Sequence, residues 1–208
     1  MAPFAGGDYI TSPVIPFCTG GFSVVGNASG NPFMLSAGHC GRATWSTPAQ
    51  PMGQTSSLYI NDPKRDDFQT IRVGSARGSV NGDTDQYAVI GSTIPAAASL
   101  ITLDGSISGE EHDIPVINNN ATIYGIRLPS GKTFTASRLV TASGFCQGGD
   151  SGGPMYIRQP TPLEVSAVGT LVCYYGLPSG GFACAGERIS AETSASNTSL
   201  ILGANVVS

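Results

Sequence analysis

Charged residues are scarce in this sequence of 208 residues, where Asp, Glu, Lys and Arg together make up 12%. The ten Lys and Arg residues form no basic run of the kind that binds nucleic acid or an anionic membrane surface. No apolar run reaches the roughly 18 residues that a membrane-spanning helix needs. Together with the net charge of −4, these absences predict a protein without nucleic-acid or membrane partners.

A secretory leader is also missing, because the chain passes from Met1 directly into residues 3–7 without a basic or an apolar segment. Taken alone, this absence favours a cytosolic protein. The five cysteines favour a mature extracellular chain that has lost its leader, since disulfides persist in oxidising compartments. No two cysteines have the close spacing of a zinc knuckle, so we expect no zinc site. No cofactor is predicted either.

A helical repeat is lacking as well, since no stretch keeps a 3.6-residue apolar period over four turns. The 28 glycines and 14 prolines instead indicate many tight turns between short strands, and hence an all-β sandwich or barrel. A short terminal helix is possible within residues 191–202. Residues 94–104, which include Pro95, are the best candidate for a crossing between two halves. Strand-like runs occupy residues 33–37, 70–73, 87–90, 121–124 and 165–168.

The strongest local motif is the glycine-rich segment of residues 146–154, which reads Cys-Gln-Gly-Gly-Asp-Ser-Gly-Gly-Pro. Its serine, Ser151, lies between small residues that leave its hydroxyl accessible. Backbone N–H groups in such a turn can point at one spot and stabilise an oxyanion. An ordinary glycine-rich turn would have the same composition, so the motif needs a partner elsewhere in the chain.

That partner is a base of near-neutral pKa, and the sequence contains only two histidines. His39 follows an apolar run and precedes Cys40, whereas His112 lies among Glu110, Glu111 and Asp113 in what we interpret as a solvated loop. His39 is therefore the predicted base.

A carboxylate must orient the histidine and stabilise its charged form. We predict Asp85 for this role because it directly precedes the strand-like residues 86–90, with Asp83 as the alternative. Asp62, Asp66 and Asp67 lie in a charged stretch and are expected to face solvent.

The order of these residues in the chain excludes two rival folds. In α/β-hydrolases the histidine follows the serine, but no histidine follows Ser151. In subtilisin-like enzymes an aspartate precedes the histidine, and only Asp8, which has no strand-like context, precedes His39.

The segments Ser36-Ala37-Gly38-His39-Cys40 and Gly149-Asp150-Ser151-Gly152-Gly153-Pro154 resemble the chymotrypsin-like serine peptidases. Together with residues 6–8 they are most similar to the streptogrisin and α-lytic protease branch. The resemblance departs from the family pattern near Asp85, because Gln86 occupies the position where the aspartate is expected. A one-residue bulge would reconcile the two.

The resemblance implies two six-stranded antiparallel β-barrels, over residues 4–95 and 105–208, with the active site in the cleft between them. It implies an oxyanion hole made by the N–H groups of Gly149 and Ser151. It also implies that Asp150 turns inward toward an internal arginine, for which Arg127 is the candidate.

The family pattern further implies the disulfides Cys18–Cys40 and Cys146–Cys184. Cys173 competes with Cys184 for Cys146 and would otherwise be a buried thiol.

These expectations describe a secreted, monomeric serine endopeptidase that acts on polypeptide substrates. Gly144 replaces the aspartate of trypsin-like pockets, so a cationic preference would require Glu187 to reach the pocket. Gly144, Phe145 and Leu171 predict an apolar P1 preference. A non-catalytic binding module and an esterase are the alternatives.

Overall fold

Strands dominate the computed structural model, which describes residues 3–60, 62–128, 130–177, 180–202 and 205–207, without the side chains of residues 173, 174, 205 and 207. Two helices accompany the strands, a 3-10 turn at Gly38–Cys40 and α1 at Ile189–Ser196. The strands in chain order are β1 (Phe4–Gly6), β2 (Tyr9–Ile10), β3 (Cys18–Thr19), β4 (Ser23–Gly26), β5 (Pro32–Ala37), β6 (Thr44–Ser46), β7 (Pro51–Ile60), β8 (Asp67–Val73), β9 (Ser75–Asn81), β10 (Gln86–Ser92), β11 (Leu100–Gly105), β12 (Gly109–Arg127), β13 (Thr133–Ala142), β14 (Pro154–Arg158), β15 (Glu164–Gly176), β16 (Phe182–Arg188), β17 (Thr198–Leu200) and β18 (Asn205–Val207).

The second half of the chain closes a six-stranded barrel. Its strands pair in the order β15-β14-β11-β12-β13-β16, and β16 pairs back onto β15. All six of these pairings are antiparallel. Closure removes the free edges that an open sheet would expose.

The first half contributes five strands of an antiparallel six-stranded sheet, in the order β17-β4-β5-β8-β7-β6, and β17, from the end of the chain, pairs with β4 as the sixth. The expected all-β class is therefore confirmed. Two parallel pairings, β1 with β9 and β10 with β15, supplement the antiparallel ladders, and the second of them joins the two halves. The boundary expected between residues 95 and 105 remains a prediction, and β11 begins within it at Leu100.

The core is apolar in each half, as alternating strand residues require. Trp45 and Met34 are fully buried in the first half, and Trp45 donates its indole N–H to Thr55 Oγ1 at 3.0 Å. Leu103 and Met155 are buried inside the closed barrel.

The terminal helix expected within residues 191–202 is only partly present, because α1 spans Ile189–Ser196 and β17 follows at Thr198. Asn197 ends the helix in the left-handed conformation, which asparagine tolerates better than most residues. Among the described residues, no helix is long and apolar enough to cross a bilayer.

A close approach between strands makes one glycine of β7 sensitive to substitution. A Cβ added to Gly53 would overlap the carbonyl oxygen of Arg72 on β8, whereas a Cβ on Gly91 of β10 would meet open space. We predict that Gly53→Ala lowers the free energy of unfolding by about 1–3 kcal/mol, because a backbone atom cannot yield as a side chain can. Gly91→Ala is the control and should change it by less than about 0.5 kcal/mol. Thermal unfolding at one fixed scan rate compares the two, and equal midpoints would contradict the packing argument.

Candidate active site

The position of His39 is fixed by the end of a buried strand. β5 ends at Ala37 and continues into the 3-10 turn, whose last residue, Cys40, forms a disulfide with Cys18. Gly38 packs so closely that a Cβ there would overlap the carbonyl oxygen of Tyr59. The turn therefore directs the imidazole away from the core of the first sheet.

A buried aspartate contacts His39 twice. Asp67 Oδ2 lies 2.7 Å from His39 Nδ1, and Asp67 Oδ1 accepts the backbone N–H of His39 at 2.7 Å. Asp67 is fully buried at the first position of β8, and β8 pairs with β5, the strand that leads to His39. The carboxylate thus fixes both the ring and the backbone of the histidine.

The prediction of Asp85 as this carboxylate is wrong. Asp85 is exposed, and its side chain accepts a hydrogen bond from the neighbouring Thr84 hydroxyl at 3.1 Å. Asp83, the alternative, is exposed as well and accepts the N–H of Glu110. Asp67 was expected to face solvent because it lies in a charged stretch before the strand-like residues 70–73, whereas β8 begins at Asp67 itself.

The hydroxyl of Ser151 lies on the other side of the imidazole, with Oγ 2.8 Å from His39 Nε2. The Ser151 carbonyl accepts the N–H of Thr19 at 2.8 Å, and Gly152 N donates to Leu171 O at 2.7 Å. A Cβ on Gly152 would overlap the carbonyl of Thr19, so only glycine lets the turn approach β3 this closely. Ser151, His39 and Asp67 therefore form a continuous hydrogen-bonded chain.

The turn that carries Ser151 is held by the buried carboxylate of Asp150. Its Oδ1 accepts the N–H groups of Ile107 and Ser108 at 3.0 Å each, and its Oδ2 accepts the Ser108 hydroxyl at 2.5 Å and the N–H of Gln147 at 2.7 Å. Three backbone donors and one hydroxyl thus satisfy the charge, as a buried carboxylate requires.

Asp150 turns inward as expected, but the expected partner is wrong. Arg127 is exposed at the end of β12 and lines the cleft beside Ser151. The donors of the 107–108 turn take the place of the predicted arginine.

Gly149 and Ser151, the residues predicted to form an oxyanion hole, both line this cleft. Gly149 has φ +108°, and its carbonyl is turned away to accept the Thr19 hydroxyl at 2.8 Å. Within the described ranges, neither the N–H of Gly149 nor that of Ser151 donates to a protein acceptor. Both donors are therefore available to a ligand, and the oxyanion hole itself remains a prediction.

Two further buried acidic residues, Glu187 and Asp66, lie near Asp67. Its backbone N–H donates to Glu187 Oε2 at 2.6 Å, and Glu187 Oε1 lies 3.5 Å from a guanidinium nitrogen of Arg138. Arg138 also pairs with the buried Asp66. Burial, followed by the charge of nearby Glu192, raises the pKa of Glu187 well above its ordinary value. Glu187 therefore supports β8 from behind and does not line the cleft, so it supplies no cationic preference.

The pKa of His39 reflects two opposing effects. Burial lowers the pKa of the ring, but the charge of Asp67 and its hydrogen bond to the ring outweigh burial, so the pKa is raised above 6.5. A base of this kind is neutral, and able to accept a proton, above the raised pKa.

The cleft at Ser151 has a volume of about 630 Å³ and mostly apolar walls. Leu171 lines it as expected, but Gly144 and Phe145 are not among its described lining residues. A Cβ on Gly144 would meet Ile114 and Leu103 inside the barrel, and Phe145 is more than half exposed. The lining residues are Ile15, Pro16, Phe17, Cys18, His39, Cys40, Ile123, Tyr124, Gly125, Ile126, Arg127, Cys146, Gln147, Gly148, Gly149, Asp150, Ser151, Leu171, Val172 and Tyr175.

Both expected disulfides are present, Cys18–Cys40 and Cys146–Cys184. The side chain of Cys173, the expected buried thiol, lies outside the described part of the structure. Among the described residues, no group of His, Cys, Asp and Glu is arranged to hold a metal ion.

Solved structures with the same fold support this interpretation of the architecture. Thermobifida fusca protease A aligns at 24% identity over 97% of this chain and all of its own, with a TM-score of 0.77. The Nocardiopsis protease aligns at 24% identity over 96% and 99%, with a TM-score of 0.76. A glutamic-acid-specific serine protease, which uses a histidine triad in substrate binding, aligns at 19% over 95% and 100%, with a TM-score of 0.77. The chain thus has the chymotrypsin-like fold of bacterial serine proteases.

No known family profile matches the sequence, and no curated protein matches it either.

The contacts of His39 predict a change in its titration. Asp67→Asn should lower the pKa of the imidazole, because the charge that raises it is removed while the burial that lowers it remains. Asp85→Asn, which removes the same charge from an exposed site, should leave that pKa unchanged. NMR titration of the His39 ring protons measures both, and an equal shift in the two variants would contradict the assignment of Asp67.

Proposed function

We propose that this protein is a serine endopeptidase of the chymotrypsin-like family, with Ser151 as nucleophile, His39 as general base and Asp67 in place of the predicted Asp85. The observation that carries the proposal is the hydrogen-bonded chain from Ser151 Oγ through both nitrogens of His39 to Asp67. Within the family, the streptogrisin and α-lytic protease branch fits the motifs best.

The reaction begins with attack of Ser151 Oγ on the substrate carbonyl carbon while His39 Nε2 takes the hydroxyl proton. Asp67 holds the tautomer that leaves Nε2 free to accept it and stabilises the imidazolium that forms. His39 then gives the proton to the leaving amine, and an acyl-enzyme remains on Ser151. Water, deprotonated by His39, hydrolyses that ester and restores the serine.

The negative oxygen of each tetrahedral intermediate would be bound by the N–H groups of Gly149 and Ser151. Both residues line the cleft, and both donors are without a protein acceptor in the described structure. Each donor in such a site typically lowers the barrier by on the order of 3 kcal/mol.

An apolar P1 side chain fits the walls of the cleft best, because Leu171 and Val172 line the cleft beside the serine turn. No acidic side chain that could bind Lys or Arg reaches the cleft from the described residues, since Asp150 is turned inward and Glu187 is buried behind Asp67. No histidine follows His112 in the sequence, so a P1 pocket built on several histidines is disfavoured.

Secretion and a monomeric state belong to the same proposal. The two disulfides support secretion, because disulfides persist in an oxidising compartment. Polypeptides are the proposed substrates, and the proposed reaction uses no cofactor or metal.

A covalent serine reagent tests the proposed nucleophile. Phenylmethylsulfonyl fluoride should add one sulfonyl group to Ser151 and abolish cleavage of casein, while Ser151→Ala should be neither labelled nor active. The addition is measured by intact mass and located by peptide mapping. An unlabelled, well-folded protein would favour a binding module. Hydrolysis of nitrophenyl esters without any cleavage of casein would favour an esterase.

The choice between the two aspartates predicts a large difference in turnover. Asp67→Asn should lower kcat by a factor on the order of 10⁴, because an asparagine stabilises the wrong tautomer of the imidazole. Asp85→Asn should stay within about twofold of the wild type, as expected for an exposed site remote from the chemistry. Both rates are measured on one chromogenic peptide. A large loss at Asp85 with a mild one at Asp67 would reverse the assignment.

A further inference from the structure

One end of the cleft carries a cation without a partner. Arg127 lines the cleft, is exposed, and makes no ion pair or side-chain hydrogen bond within the described ranges. Tyr124, three residues earlier on β12, also lines the cleft and is 71% exposed. Both side chains are therefore open to whatever occupies this end.

The register of the β12–β13 hairpin brings this end close to the reacting groups. Ile126, which directly precedes Arg127, pairs with Phe134 on β13. The Phe134 ring in turn stacks on the His39 ring, with centroids 6.1 Å apart. Because neighbouring residues of a strand are about 3.3 Å apart, Arg127 follows closely on the wall that borders His39.

A second guanidinium strengthens the positive charge at this end. Arg65 lies over the Tyr124 ring, with its guanidinium carbon 5.9 Å from the ring centroid. Of the acidic side chains in the same loop, Asp66 is buried and pairs with Arg138, and Asp62 accepts the N–H of Asp66. The sequence between Asp113 and Asp150 contains no acidic residue at all.

The rest of the cleft does not offset this charge. Of the lining residues, only Asp150 is acidic, and its carboxylate is buried in the hydrogen bonds of the 107–108 turn. A chain whose net charge is −4 therefore presents an uncompensated positive group where a substrate would lie.

We propose that Arg127 binds an acidic side chain of the substrate, beside an apolar side chain at P1, so that the protein prefers to cut next to acidic stretches of polypeptide. Arg65 and Tyr124 support this subsite, which rests on the proposed peptidase function. A guanidinium can bind a carboxylate through two parallel hydrogen bonds, so Glu and Asp are the expected partners. At this exposed position the preference should be about three- to tenfold in kcat/KM and should weaken in salt.

Internally quenched peptides with one common P1 residue test the proposal. Glu is compared with Gln at each of four positions before the scissile bond and two after it. The wild type should prefer Glu at one position or at two adjacent positions, and the preference should fall when the salt concentration is raised. Peptides cleaved equally well at every position would overturn the proposal.

A charge reversal separates recognition from structure. Arg127→Glu should favour Lys over Gln at the position where the wild type favours Glu, which mere damage to the fold would not produce. Lys132→Gln is the matched control, because it removes one positive charge from an exposed residue of the same hairpin outside the cleft, and it should keep the preference for Glu. A Glu preference that survives in Arg127→Glu would overturn the proposal.

The same peptides distinguish failure of the Arg127 subsite from failure of the proposed peptidase function. Cleavage of the Gln peptides without any Glu preference overturns the Arg127 subsite and leaves the peptidase intact. A wild type that cleaves none of the peptides and is not labelled at Ser151 overturns both.

Discussion

The imidazole of His39, held between a buried carboxylate and a serine hydroxyl, is the arrangement on which the rest of the structure depends. Its partners are 28 and 112 residues away in the chain, on a strand of the first sheet and on a turn of the second half. A buried carboxylate is costly unless its oxygens are hydrogen-bonded, and both oxygens of Asp67 are bonded to the same histidine. The hydrogen bonds that offset the cost of burying the Asp67 carboxylate therefore also orient the imidazole of His39.

The packing around the seam holds these three residues in register. Thr19 binds the carbonyl of Ser151 from one side, and its hydroxyl binds the carbonyl of Gly149. Glu187, from the second half, holds the backbone of Asp67 at the start of β8. Each contact crosses between distant parts of the chain, so the two halves must dock before the imidazole meets the hydroxyl.

Local motifs predicted the parts of this site whose function depends on adjacent residues. Ser151 and His39 were identified because an accessible serine among glycines and a histidine at the end of an apolar run are visible in sequence. The aspartate was missed because its role depends only on where β8 passes β5. Asp67 and Asp85 both lie at the entrance of a strand, and only the pairing of strands distinguishes them. For Asp150 the missing information was the 107–108 turn, whose backbone donors replace a cation.

The local charge of Arg127 and the net charge of the whole protein have opposite effects on an acidic polypeptide. A net charge of −4 disfavours the approach of acidic polypeptides at a distance, but beyond about 8–10 Å this repulsion is screened at physiological ionic strength. Inside the cleft, Arg127 is exposed, whereas the carboxylate of Asp150 is held by hydrogen bonds within the serine turn and the 107–108 turn. In the proposed subsite, local pairing would therefore outweigh the repulsion from the net charge once a substrate is bound. In the proposed peptidase, the apolar walls at Ser151 and the positive end of β12 would select for two different features of the same peptide.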